Sequence, residues 1–149
     1  VGLYASLLFQ LKSESDQVGW FEAHDDRHPI LVATLDDRVV GWTSLSRWSD
    51  RCAYADTAEI STYVAEEFRG RGIGRRLKAA ILDAAVAAGL HTLLARIVEG
   101  NAASLHLNEA FGFRTIGVMR EVGLKFGRRL DVHLMQKMLR EGGPGSGPG

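Results

Sequence analysis

The run Val64-Ala65-Glu66-Glu67-Phe68-Arg69-Gly70-Arg71-Gly72-Ile73-Gly74-Arg75-Arg76-Leu77 reads as the end of a strand, a short turn and the start of a helix. Gly70, Gly72 and Gly74 allow the backbone there to take positive φ and to pass close to a ligand. A helix that opens at this point presents unpaired N–H groups and roughly half a positive elementary charge. Arg69, Arg71, Arg75 and Arg76 add full charges beside those amides. The combination suits a phosphate or pyrophosphate. Gly-Arg runs also form plain surface turns, so the loop alone leaves both readings open.

Downstream, Leu77, Ile81, Ala84, Ala85 and Ala88 recur at helical spacing, which gives one face to lay on a sheet. Gly89 is placed to stop that helix. Two other phosphate loops do not fit: the glycines do not follow G-x-G-x-x-G, and G-x-x-x-x-G-K-[ST] occurs nowhere.

Elsewhere the pattern alternates between strand and helix signals. Residues 1–12 form an apolar segment without a clear start. Ser13 to Ser15 can cap a helix carrying Val18, Trp20 and Phe21, which His28-Pro29 ends. Ile30 to Leu35 and Val39 to Leu45, joined at Asp36-Asp37, predict a hairpin. A loop at Arg47 to Arg51 precedes one long strand from Ala53 to Val64. After the loop helix, Thr92 to Val98 is a mostly apolar strand, and Asn101 caps a helix to about Ala110 that Gly112 stops. Arg114 to Glu121 and Leu130 to Met138 predict two strands joined across Gly123 to Arg128. The order β-β-β-α-β-α-β-β implies an α/β fold, a mixed sheet with helices on its faces. Residues 1–140 form one domain by length, and 141–149, all Gly, Pro and Ser after Glu141, a flexible tail.

Charge narrows the class of partner. Eighteen basic and eighteen acidic side chains cancel, which gives no electrostatic case for nucleic acid or an anionic membrane. The basic cluster at Arg69 to Arg76 also lacks interleaved aromatics. Cys52 is the sole cysteine and the five histidines have no metal-ligand spacing, so no metal is expected. With no apolar run of membrane-spanning length and no signal-peptide pattern, a cytoplasmic location is expected.

Arg69-Gly70-Arg71-Gly72-Ile73-Gly74 fits [Q/R]-x-x-G-x-[G/A], and so resembles the acetyl-CoA-binding motif of the GCN5-related N-acetyltransferases (GNAT). The likeness runs from about Trp20 to Met138. Glu59 to Val64, Asn101-Ala102-Ala103-Ser104, Gly112-Phe113, Gly123 to Gly127 and Asp131-Val132 look like the phosphinothricin/methionine sulfoximine acetyltransferase branch. The resemblance implies a mostly antiparallel sheet in which the strands flanking the loop helix splay and hold acetyl-CoA between them. It also implies an N-terminal strand and helix that the residues ahead of Phe9 are too few to hold in full, and a homodimer.

The implied reaction is acyl transfer from a thioester to the amine of a small amino-acid-like substrate, which needs an anion site, a base, an oxyanion donor and a proton for the thiolate. Arg69, Arg71, Gly72, Gly74 and Arg75 match the pyrophosphate positions. Glu59 is a charged residue in mid-strand, and partial burial would raise its pKa toward a base's working range. Alternation also places Glu59, Ser61 and Tyr63 on one face, which fits a solvated surface equally well. The resemblance favours the base. By the same likeness the Val64 N–H would hold the thioester carbonyl, and Asn101 would contact the CoA arm as well as cap its helix. Asn108 falls where the superfamily often has an acidic Tyr and this branch His; an amide can hydrogen-bond a thiolate but cannot protonate it. Arg47 and Arg51 either pair with the acceptor's carboxylate or are solvated. The alternatives within reach of this sequence are a non-catalytic acyl-CoA-binding module and an enzyme that acetylates a protein amine.

Overall fold

The computed structural model describes the backbone of residues 2–5 and all of residues 27–140. The helix expected near Ser13 and the tail from 141 lie outside these. Seven strands form one sheet in the order β1-β2-β3-β4-β5-β7-β6. They are β1 (Gly2–Ala5), β2 (Ile30–Leu35), β3 (Arg38–Arg47), β4 (Thr57–Val64), β5 (Thr92–Val98), β6 (Arg114–Lys125) and β7 (Arg128–Met138). Helix α1 (Ile73–Ala87) links β4 to β5, and α2 (Ala102–Ala110) links β5 to β6. All neighbouring pairs are antiparallel except β4 and β5.

That one parallel pair is short. It matches Thr57 with Thr92, Ala58 with Leu93 and Glu59 with Leu94, and then stops. Beyond it β4 stays with β3 as far as Val64 opposite Gly41, while β5 stays with β7 as far as Val98 opposite Val132. The strands therefore part after Glu59, as the likeness to splayed-sheet acetyltransferases implied.

One face of the sheet carries the helices. Leu77, Ile81 and Ala85 of α1 are fully buried, against Ala33 and Val40 at one end and Ala58, Ile60, Leu93, Ala95 and Met135 at the other. Leu105 and Phe111, from and just after α2, pack on the same cluster. Burying each large aliphatic chain is worth about 1.5–3 kcal/mol. Gly41 has a steric reason to be glycine: a Cβ there would lie 2.8 Å from the Tyr63 carbonyl and 3.3 Å from Leu77.

Three expectations are corrected. Gly2–Ala5, within the apolar segment read as having no clear start, pairs with β2 as an N-terminal strand. The strand expected from Ala53 begins only at Thr57, because Cys52–Tyr54 is a 3₁₀ turn. Asp56 explains the delay: its carbonyl accepts from His91 and Thr92 N–H, which clamps the start of β4 to β5, and its carboxylate holds Arg27 at 2.9 Å. The last hairpin is longer than predicted, with a two-residue turn at Phe126-Gly127, both at positive φ. Register shifts at Thr115/Gly117 and Met119/Gly123 break the alternation that would have shown its length.

Lys78 is out of place in the apolar face of α1. It is 3% exposed, with its ammonium nitrogen 5.5 Å from the Phe113 ring centre. Burial pushes its amine down to about 8, from an ordinary value of 10.5. Below pH 8 the folded state must bury a charge that the unfolded chain solvates. Between 8 and 10.5 the unfolded chain binds the extra proton, so this penalty fades as pH rises. Lys78→Met should therefore raise the melting temperature at pH 7, by a free energy on the order of 3 kcal/mol. That advantage over wild type should shrink between pH 8 and 10.5 in thermal melts.

Candidate active site

The loop between β4 and α1 has the form its sequence suggests. A 3₁₀ turn, Glu66–Phe68, leads into Gly70 (φ 79°) and Gly72 (φ 80°), which occupies the N-cap position of α1 in the left-handed conformation. Among the described residues no side chain caps this helix. The first intrahelical acceptor is Gly72 O, which takes the Arg76 N–H, so the N–H groups of Ile73, Gly74 and Arg75 remain for a ligand. A Cβ at Gly70 or Gly72 would meet nothing within 4 Å; positive φ, rather than crowding, is what requires glycine there. Gly74 is different: a Cβ there would lie 3.6 Å from Val64 and 3.5 Å from Leu107, between the end of β4 and α2.

The arginines surround this helix start and are exposed. Arg69 donates from Nε to the Val64 carbonyl at 3.1 Å, which ties the loop to the strand. Arg71 lies 5.3 Å from the Phe68 ring centre and Arg75 lies 5.9 Å from that of Phe111, contacts that set the side chains' directions while leaving charge at the surface. An N-terminus with three open amides and a rim of cations fits a pyrophosphate.

The splay supplies the second part of the site. Ala65 N–H bonds to Val40 O, so alternation turns the N–H groups of Thr62 and Val64 toward the side that β5 has left. Sequence reasoning named Val64 as a donor; the register adds Thr62.

At the point where the strands part, Glu59 is held by Arg96. Two donors, Nε and Nη2, reach the two carboxylate oxygens at 2.6 and 2.5 Å. Glu59 is 16% exposed at its side chain and Arg96 51%. The bond to Glu59, and after it the attraction of its charge, raises the Arg96 pKa above its ordinary value against the opposing effect of burial. The guanidinium also lies 5.7 Å from the Trp48 ring centre. Of the two readings of Glu59, the side chain's partial burial departs from a fully solvated face. Its cation partner went unread in the sequence. The available signal was Arg96 itself, the one charge in Thr92-Leu93-Leu94-Ala95-Arg96-Ile97-Val98.

The remaining sequence candidates fall in different places. Arg47 and Arg51 line one pocket beside the start of β4, with Ser49, Cys52, Tyr54 and Thr57. Glu59 does not line that pocket, although Arg47 stands opposite its neighbour Ala58. Asn101 caps α2, its Oδ1 accepting from the Ser104 N–H at 3.2 Å. Asn108 is 2% exposed and directs its Nδ2 at Met135 Sδ, 3.8 Å away, inside the core cluster.

A split sheet with open amides along one strand, above a helix start that suits a diphosphate, defines a protein that binds a long phosphorylated cosubstrate between β4 and β5. The model of the acetyltransferase (GNAT) family matches residues 4–113. L-amino acid N-acyltransferase MnaT of Escherichia coli is 36% identical over 142 residues, 93% of this chain and 83% of that protein. An L-methionine sulfoximine/L-methionine sulfone acetyltransferase of Pseudomonas paraeruginosa is 40% identical over 124 residues, 82% of this chain and 72% of its own length. A phosphinothricin acetyltransferase of Sinorhizobium meliloti, solved with acetyl-CoA, superposes with a TM-score of 0.80 at 32% identity, covering 85% of this chain and 70% of that one. The chain belongs to the GNAT acetyltransferase family.

Replacing Gly72 by Ala should weaken CoA binding, measured by calorimetry, by about tenfold or more, since a side chain resists φ 80° by roughly 1–2 kcal/mol and the amides would turn away. Gly89→Ala is the control. It has the same handedness (φ 78°) and open space but lies at the far end of α1, so it should lower stability and leave CoA affinity unchanged.

Proposed function

We propose that this protein transfers the acetyl group of acetyl-CoA to the primary amine of a small amino-acid-like substrate of the methionine sulfoximine or phosphinothricin type, by direct attack. The observation that carries the reading is the parting of β4 from β5 beside an uncapped helix start, in a chain 40% identical to an enzyme named for such acceptors. Acetyl-CoA supplies an activated thioester. Arg69, Arg71, Gly72, Gly74 and Arg75 hold its pyrophosphate, and Asn101 lies along its arm. The N–H of Val64, with that of Thr62 one repeat nearer the base, polarises the thioester carbonyl.

Glu59 is the base in this reading. It is five residues from Val64, roughly 16 Å along an extended strand, so a single reacting carbon cannot touch both groups. The ammonium proton therefore reaches Glu59 through water. Arg47 and Arg51 supply cations for the end of the acceptor away from the amine, such as a phosphinate. Asn108 would act, as an amide, only by donating a hydrogen bond to the departing sulfur. The free thiol of Cys52 suits the cytoplasm.

Glu59→Gln separates an enzyme from a CoA-binding module. It should lower kcat for methionine sulfone or phosphinothricin by about 10²–10⁴-fold and leave CoA affinity as it is, measured by thiol release and calorimetry. Unchanged turnover would remove Glu59 from the mechanism, and no turnover by wild type on any amino acid would favour the binding module.

The reading includes a homodimer. Ile116, Val118, Val122 and Leu124 of β6 are exposed, and Phe126 at the hairpin tip is 95% exposed at φ 52°, an unusual conformation for an aromatic residue. β6 is also a sheet edge. Sedimentation velocity should give twice the monomer mass, and Val122→Glu should shift it to the monomer.

A further inference from the structure

Arg96 spends only part of its hydrogen-bonding capacity on Glu59. A guanidinium has five N–H donors, arranged as a side-on fork (Nε with one terminal nitrogen) and an end-on fork (both terminal nitrogens). Nε and one Nη2 hydrogen hold Glu59, leaving the end-on fork, which makes no bond to any described residue. The Trp48 ring centre lies 5.7 Å from the guanidinium carbon. Half of the Arg96 side chain is exposed, while its register on β5, two residues past the last pair with β4, sets it at the mouth of the splay. The cation therefore stands beside the carboxylate that the proposed mechanism uses as base, half exposed and with a second fork that no described residue occupies.

We propose that Arg96 determines acceptor specificity: it grips Glu59 on one edge and receives the carboxylate adjacent to the reacting amine on the other. The inference rests on the acetyltransferase reading above. An α-amino acid carries an ammonium and a carboxylate on one carbon, and the Glu59–Arg96 pair offers the opposite charges side by side. A carboxylate seated on that fork holds its amine on the Glu59 side of the gap, where its proton reaches Glu59 through water. Arg47 and Arg51 line a pocket that Glu59 does not share, so they are left to the far end of the acceptor.

The test compares methionine sulfone with its carboxamide, which keeps the amine and side chain and lacks the charge. Wild type should favour the acid in kcat/KM by at least about tenfold, the worth of a charge-assisted fork. In Arg96→Gln both substrates should slow as Glu59 loses its partner, but the acid should lose more, so that this ratio falls to near one, while Arg47→Gln and Arg51→Gln should keep it. An equal drop for both substrates in Arg96→Gln would overturn the proposal, since Arg96 would then only position Glu59. A ratio that collapses in Arg47→Gln or Arg51→Gln instead would overturn it too. Calorimetry with CoA checks that Arg96→Gln folds. If it does not, Arg96→Lys is read in its place: it keeps the charge without the fork, and an unchanged ratio would overturn the proposal. Wild type that turns over acid and amide alike defeats this inference alone; wild type that turns over no amino acid defeats the acetyltransferase reading with it.

Discussion

The parallel contact between β4 and β5 is three residue pairs long, and the architecture follows from that brevity. Each of the two strands has a longer commitment elsewhere. β4 is matched to β3 over seven pairs, from Ala58 to Val64, and β5 to β7 over seven, from Thr92 to Val98. Sheet twist turns neighbouring strands against each other, and a short parallel seam cannot hold both to a common direction when each follows an antiparallel partner. The sheet behaves as two antiparallel halves joined at one seam. Past it, backbone donors on β4 have no strand to bond, and buried amides without partners are costly. A ligand that lays its own carbonyls along that edge satisfies them, which is why a sheet split in this way belongs with a long, amide-bearing cosubstrate.

Polar chemistry gathers at the two ends of the gap for related reasons. At the open end, α1 begins without a side-chain cap, and Arg69 binds the last carbonyl of β4, so the anion-binding amides and the strand edge move as one unit. At the closed end, Arg96 reaches over the seam to Glu59. An ion pair there joins the two halves where backbone bonding stops. It places opposite charges side by side at the point where the strands part. Its fork geometry gives it direction, which a lysine in the same position would not have.

Much of this was legible in the sequence because it rests on local rules. The glycines and arginines of the loop, the 3.6-residue apolar period of α1, the Asp36-Asp37 turn and the Asn101 cap all act over a few residues, and each stands where its pattern placed it. What escaped depends on residues far apart in the chain. Arg96 meets Glu59 across thirty-seven positions, and only the pairing of β4 with β5 makes them neighbours. The 3₁₀ turn at Cys52–Tyr54 is hidden in an apolar alternation that a strand would also produce, and what enforces it is the anchoring of Asp56 to His91 and Thr92. The bulges of β6 erase the two-residue period that would have revealed its length. Glu59 was visible as a charge in a strand, but its state could not be read without its partner.

Asn108 shows how a missing group constrains a mechanism. Its amide points at Met135 Sδ within the core, so this position contributes packing rather than a titratable group. A strong acid at the leaving group is needed when that group departs as a poor anion. A thiol has an ordinary pKa of about 8.5, and its anion is tolerable in water near neutral pH. The step that gains most from the protein is then the opposite one: taking a proton from an ammonium whose pKa lies well above neutrality, so that the free amine can attack. In the proposed mechanism that requirement puts the burden on Glu59 and on the cation beside it, at the seam where the two halves of the sheet meet, rather than on α2.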